Sequence, residues 1–148
     1  MIRDIIGKQD LVTCEPDAKV SDVAQIMADR NVGAVMVLTG DKPRGIVTDR
    51  DIVLRCIAKN VDVSDCTVEQ IMSESVETVS VTDGLFDCIK KMHNAHVRRM
   101  PVVDEQGKAC GLISFGDILA ILSKEFVTIT EADTPLDQHQ DKPQLKVA

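Results

Sequence analysis

The sequence predicts a mixed α/β (α+β) fold made of two β-α-β-β-α units packed as a pseudo-twofold pair. Three observations carry that prediction. First, the chain repeats itself at a spacing of about 65 residues, a period that marks a whole supersecondary unit. Gly45-Ile46-Val47-Thr48-Asp49-Arg50-Asp51 aligns with Gly111-Leu112-Ile113-Ser114-Phe115-Gly116-Asp117, and Val20, Asp22, Val23, Ala24 and Met27 align with Leu85, Asp87, Cys88, Ile89 and Met92. Second, each copy alternates strand-length apolar runs with a stretch of 3.6-residue period. Third, the chain has three Phe and no Tyr or Trp, so its core must be Val, Ile, Leu, Met and Ala, which suits branched strands under helices. A unit this small rarely stands alone. The halves should pack on each other, with any ligand near their interface.

The elements follow in order. The lead-in Ile2-Arg3-Asp4-Ile5-Ile6 sits opposite Val68-Glu69-Gln70-Ile71-Met72. A short strand over 11–13 precedes Glu15-Pro16-Asp17, a turn and helix-start signal. The helix after it carries apolar residues at 20, 23, 24 and 27 and ends near Asn31. Ala34-Val35-Met36-Val37-Leu38 reads as a buried strand, the turn 39–43 holds Gly40 and Pro43, a strand over 44–47 pairs back, and Thr48 opens a helix to about Ala58. The second unit repeats this with a strand near Thr78-Val79, a helix over 84–95, strands over 100–103 and 109–113 and a helix over 115–124. Domain limits follow as 1–61 for the first unit, 62–67 for a polar linker and 68–125 for the second. Phe126-Val127-Thr128-Ile129-Thr130 alternates like an edge strand, and the polar residues 131–148, with Pro135 and Pro143, are expected to be a disordered tail.

Composition excludes several classes. With 28% charged residues and a net charge of −7, the chain lacks the basic stripes and aromatic platforms of a general nucleic-acid binder. No apolar run is long enough to span a membrane, and no signal peptide is legible at the N-terminus. The five cysteines (Cys14, Cys56, Cys66, Cys88, Cys110) are widely spaced without a C-x-x-C pair. They read as reduced, buried thiols of a cytoplasmic protein, with Cys66 in the linker as the one place for a redox switch.

The repeated polar motif carries the chemistry. Thr48 and Asp51, like Ser114 and Asp117, stand at i and i+3 where a helix begins, so they share a face. A hydroxyl there meets unpaired N–H groups and the positive end of the dipole, which suits phosphate. A carboxylate one turn on can accept hydrogen bonds from the vicinal hydroxyls of a ribose. Thr or Ser on phosphate and Asp on ribose describe a nucleoside phosphate, with its base between aliphatic strand residues, candidates being Val12, Val35, Ile46, Val79, Met100 and Leu112. The same [ST]-x-x-[DE] pattern is also a helix capping box that needs no ligand. The two sites should differ. Arg50 can fork onto phosphate oxygens, whereas its counterpart is Gly116; the second unit carries Arg98-Arg99 where the first has Gly33-Ala34, and Pro101 where the first has Met36.

Other constellations are weaker. His93 and His96 share a helix face, but no Cys, Asp or Glu completes a metal set nearby. Asp49 and Asp51 point apart on a helix and make a poor acid–base pair. No nucleophile–base pair, P-loop or GxGxxG is present, so no catalytic machinery is expected.

The β-α-β-β-α repeat closed by G-h-h-[ST]-x-x-D resembles a tandem pair of CBS domains, the regulatory module of cystathionine-β-synthase. His96-Val97-Arg98-Arg99-Met100-Pro101-Val102-Val103-Asp104 is similar to the loop and second strand of a typical repeat. The resemblance spans about residues 2–124. It implies a free-standing, disc-like, non-enzymatic pair whose cleft binds an adenine nucleotide (AMP, ADP or ATP) as regulatory ligand, a homodimer, and action in trans on an unknown partner protein. It places Thr48, Asp49, Arg50, Asp51, Ser114, Phe115, Gly116, Asp117, Arg98, Arg99, Met100, Pro101 and Thr13, with the aliphatic candidates, around the ligand. The alternatives are a ligand-free scaffold whose motifs only cap helices, and a binder of S-adenosylmethionine, NAD or a cyclic dinucleotide.

Overall fold

A computed structural model describes residues 1–6 and 11–132. The first sheet has the order β1 (Thr13–Cys14), β2 (Ala34–Thr39), β3 (Lys42–Thr48), β4 (Ser73–Glu74), and the second the order β5 (Val79–Ser80), β6 (Arg99–Val103), β7 (Ala109–Ser114). In each, a parallel pair is followed by an antiparallel hairpin. The helices are α1 (Ile2–Ile6), α2 (Val20–Arg30), α3 over 49–59, α4 (Leu85–Ala95) and α5 (Phe115–Ala132).

The equivalent helices α2 and α4 end alike. Asn31 and His96 adopt left-handed backbone, with φ of 51° and 53°, and each turns its N–H back to the last carbonyls. Such a C-terminal stop releases the chain into the next strand. After Thr48, α3 is α-helical over Asp49–Asp51, π-helical over Ile52–Cys56 and 3₁₀ over Ile57–Lys59.

Strand alternation sorts side chains by face. Val35, Val37 and Val47 enter the first core with Val20, Val23 and Ile52, while Val79, Met100, Val102 and Ile113 enter the second. The lead-ins cross over. Ile2 and Ile6 of α1 pack into the second core, and Val68, Ile71 and Met72 pack into the first. The hydrogen bonds agree: Ile2 and Arg3 N–H donate to the carbonyls of Asp83 and Val81, at 3.0 and 3.1 Å. Val68 and Glu69 N–H donate to those of Ala18 and Pro16, both at 2.9 Å. Each lead-in thus completes the unit it does not precede. The segment 62–67 is no loose tether either, since Val20 N–H donates to Cys66 O and Cys66 is buried in the first core. The hairpin turns of the two units also meet, through Lys108 Nζ to Asp41 Oδ2 at 2.8 Å.

The expected edge strand over 126–130 is helix instead. Here α5 runs unbroken to Ala132. Ser123, Thr128 and Thr130 each donate a hydroxyl to a carbonyl of the preceding turn, at 2.8, 3.0 and 2.8 Å. The hydroxyls are thereby satisfied within the helix, and the β-preference of Phe126, Val127 and Ile129 yields to that context. Glu131 and Ala132, expected in the disordered tail, close this helix, and the rest of that expectation, 133–148, lies outside the described residues. No helix among the described residues is long and apolar enough to cross a membrane.

Candidate functional site

Both polar motifs close on themselves. Asp51 Oδ2 accepts from Thr48 N–H at 2.9 Å and from Thr48 Oγ1 at 2.8 Å, while Asp51 N–H donates to Thr48 Oγ1 at 3.2 Å. Ser114 and Asp117 repeat the arrangement at 2.8, 2.7 and 3.2 Å. These are reciprocal capping boxes. They form because the strand ends extended at Thr48 (φ −121°, ψ 162°) and turns directly into helix. The box uses one oxygen of Asp51. The other, Oδ1, lies 3.6 Å from Arg55 Nε. Arg55 Nη1 in turn donates to the carbonyls of Ile71 and Met72, at 2.7 and 3.0 Å.

A cavity of about 220 Å³, open to solvent, lies between the units at the first motif. It is lined by Ile46 and Thr48 of β3, Asp51 of α3, Ser73, Val76 and Glu77 in and after β4, Val97 and Arg98 before β6, and Arg99 at its start. Two hydroxyls, two carboxylates and two guanidinium groups therefore surround an aliphatic slot. Gly33 leaves room for Arg99 and for Asp49, which is outside the cavity lining: a Cβ there would sit 3.1 Å from Asp49 Oδ2 and 3.8 Å from Arg99 Nη2. Asp49 N–H donates to Gly33 O at 3.2 Å, and at the second motif Phe115 N–H donates to Arg98 O at 2.8 Å.

The structure brings together only part of the expected set. Thr48, Asp51, Ile46, Arg98 and Arg99 share the cavity, whereas Arg50 is exposed and does not line it. Val35, Val79 and Met100 face the cores and are fully buried there, so they cannot flank a base. The period-2 alternation of their strands puts them on the wrong face. Val12 and Thr13 line a separate hollow of about 300 Å³ beside α2, with Leu11, Ile26, Asp29 and Arg30. Pro101 pairs with Leu112 across β6 and β7. Phe115 borders a third hollow, with His93, His96 and Arg98, while Gly116 lies exposed between Ser114 and Asp117. Ser73, Val76 and Glu77 were not legible as site residues, because the segment after the lead-in reaches the cavity only through its crossing; Val97 stands beside Arg98 in the quoted loop but was not singled out. The one sequence signal was Gly45, where a Cβ would lie 2.6 Å from the Ser73 carbonyl oxygen.

The thiols follow burial. Burial and then Glu15 push Cys14 up to about 11, and burial followed by the adjacent Cys56 raises Cys66. Cys88 and Cys110 are raised by burial first, and then by Asp83 and Asp104 respectively. Cys66 is therefore a poor exposed redox switch, since reactive thiols need stabilised thiolates. His93 and His96 have ring centroids 6.3 Å apart, and among the described residues no group of three or more His, Cys, Asp or Glu is placed to hold a metal ion.

The CBS domain family profile matches residues 2–57 and again residues 68–124. The chain is 29% identical over 127 residues to the uncharacterized protein MK0525 of Methanopyrus kandleri, covering 85% of this chain and 65% of that one. It spans only 22% and 39% of the length of two further curated relatives. Among solved structures, the CBS domain protein NE2398 is 32% identical with a TM-score of 0.73, covering 82% of this chain and 94% of that one. The CBS domain pair of protein MJ0100, in complex with 5′-methylthioadenosine and S-adenosyl-L-methionine, is 24% identical with a TM-score of 0.72, covering 82% and 98%. Two matched repeats, two capping-box motifs and one inter-unit cleft lead to one conclusion: this chain belongs to the CBS domain family, as a tandem pair.

Proposed function

We propose that this chain is a regulatory module that binds an adenine nucleotide (AMP, ADP or ATP) in the cleft at the first motif, pairs with a second copy, and acts in trans on a partner protein. One observation carries the reading. The cavity joins Thr48 and Asp51 to Arg98 and Arg99 across an aliphatic slot of Ile46, Val76 and Val97. Arg98 and Arg99 supply fork-shaped donors for phosphate oxygens. Asp51 Oδ1, free of the capping box, accepts ribose hydroxyls, and the aliphatic side chains sandwich the base. Ligand binding shifts the two units only by its differential affinity for their arrangements. The role is binding and regulation, without catalysis.

The second reading, another adenosine compound, is favoured by the ligands of the MJ0100 pair. Arg98 and Arg99 place like charge near a sulfonium centre, and Asp51 and Glu77 of the same cleft offset it.

The experiment is a thermal-shift titration with AMP, ATP, 2′-deoxy-AMP and S-adenosylmethionine, preceded by an ultraviolet spectrum of the purified protein. Without Trp or Tyr the chain is nearly transparent at 260–280 nm, so a retained adenine stands out. AMP or ATP raises the melting temperature, the deoxy analogue raises it less, and Asp51→Ala removes the response. Equal responses to ribose and deoxyribose overturn the role of Asp51. A response to S-adenosylmethionine alone favours the second reading, and no response to any of the four leaves the capping scaffold.

A further inference from the structure

The helix α3 departs from α5, its counterpart in the repeat, at one turn. Over Ile52–Cys56 it is π-helical, whereas α5 is α-helical from Phe115 to Ala132. Wide turns of this kind recur at functional sites. The turn carries Arg55, one helical turn beyond Asp51, and the repeat sets Ile121 at the equivalent place. The guanidinium of Arg55 works in two directions. Its Nη1 donates to the carbonyls of Ile71 and Met72 at 2.7 and 3.0 Å, while its Nε lies 3.6 Å from Asp51 Oδ1. The two carbonyls hold the planar fork from one side and so fix where Nε points.

Asp51 needs such a hold. The last torsion of an aspartate is broad, so its carboxylate keeps one direction only when both oxygens are constrained. Thr48 N–H and Oγ1 constrain Oδ2, at 2.9 and 2.8 Å. Arg55 constrains Oδ1 by charge. At 3.6 Å the pair is too long for a hydrogen bond, so the acceptor sites of Oδ1 stay open to a ligand hydroxyl. The Asp51 side chain is only 15% exposed, and salt screens such a pair less than one at the surface. The far anchor belongs to the cleft as well. Met72 precedes Ser73, which pairs with Ile46 of β3, and both line the cavity. One side chain thus ties the carboxylate to the segment that forms part of the cleft wall. At the second motif Asp117 keeps its capping box, but Ile121 offers no donor.

We propose that Arg55 is a positioning residue of the first site, which aims Asp51 Oδ1 at the ligand and thereby sets the preference for ribose over deoxyribose. The inference rests on the proposed binding of a ribose by Asp51, and it adds the residue that makes this carboxylate selective.

The test is calorimetric titration of the full chain with AMP and with 2′-deoxy-AMP, at a temperature where circular dichroism shows every variant folded. The wild type prefers AMP by about 10-fold or more, the worth of one hydrogen bond to a charged acceptor. Arg55→Met lowers that preference to under about 3-fold, because the freed carboxylate no longer meets the ribose in one direction. Val23→Ala, which loosens the first core from α2, weakens stability and keeps the wild-type preference. If Arg55→Met does not fold, Arg55→Gln takes its place with the same expected loss. A second measurement needs no nucleotide. Asp51→Ala and Arg55→Met, singly and together, shift the urea unfolding constant non-additively by at least ~3-fold. A wild-type preference retained in the folded Arg55 variant overturns the proposal, as does an equal loss in Val23→Ala or an additive cycle. Equal binding of the two nucleotides by the wild type removes the ribose role of Asp51 and the proposal with it. A non-additive cycle in a wild type that binds neither nucleotide sinks the nucleotide reading and upholds the hold of Arg55 on Asp51.

Discussion

Gly45→Ala tests the crossing of the lead-in over the first unit. Gly45 sits in β3 opposite Glu74 of β4, with Ser73 paired to Ile46. A Cβ at position 45 would lie 2.6 Å from the Ser73 carbonyl oxygen and 2.9 Å from Met72 Sδ. The methionine can swing aside, but the carbonyl belongs to the backbone of β4. Relief needs a displacement of about 0.8 Å, enough to break a two-residue pairing and move Ser73 in the cleft wall. Overpacking of this kind costs about 1–3 kcal/mol, while the stiffer unfolded chain returns about 0.4–1 kcal/mol. The net loss of about 1–2 kcal/mol lowers the melting temperature by about 3–8 °C for a chain of this size. Gly116→Ala is the internal contrast. Its Cβ meets only Ser114 Oγ, at 3.5 Å, an ordinary contact, and alanine favours the helix, so this variant gains about 0.4–1 kcal/mol. Paired thermal melts by circular dichroism give the two shifts. A Gly45→Ala protein that melts at or above the wild type refutes the close approach of β4.

Two further outcomes are expected. Arg55→Met removes the donor to the carbonyls of Ile71 and Met72, costing about 1–3 kcal/mol in urea unfolding; Arg55→Lys restores less than half of it, since an ammonium cannot reproduce the fork. Asp83 is held below the ordinary carboxylate range by the hydrogen bond from Lys91, and then by that from Ser80 N–H. Because its folded value is the lower one, its stabilisation is fully present above the unfolded value near 4 and disappears as pH falls through the folded value beneath it. Both side chains are partly exposed, so the amount is under about 1 kcal/mol. Asp83→Asn narrows its stability gap to the wild type as pH drops from 6 to 3, and a gap that stays constant contradicts the pair.

Sequence alone determined what depends on neighbours along the chain. The 3.6-residue period of 20, 23, 24 and 27 and the alternation of 34–38 follow from local geometry, and so do the two capping boxes, whose partners stand three residues apart. The duplication of Gly45–Asp51 at Gly111–Asp117 was enough to reveal the pair and its family. What tertiary structure decided are the choices between faces and between partners. Val35, Val79 and Met100 went to the cores because a strand's period assigns alternate residues to opposite faces without saying which face is the cleft. Residues 126–130 became helix because the continuing turns of α5 satisfied their hydroxyls, a context that alternation cannot report. The crossing of the lead-ins placed Ser73, Val76 and Glu77 beside Thr48 and Asp51. Two lead-ins of like character can each complete either unit, and the burial of Ile2 in the core that holds Cys88 and Met100, and of Ile71 in the core that holds Val47 and Ile52, distinguishes the two arrangements.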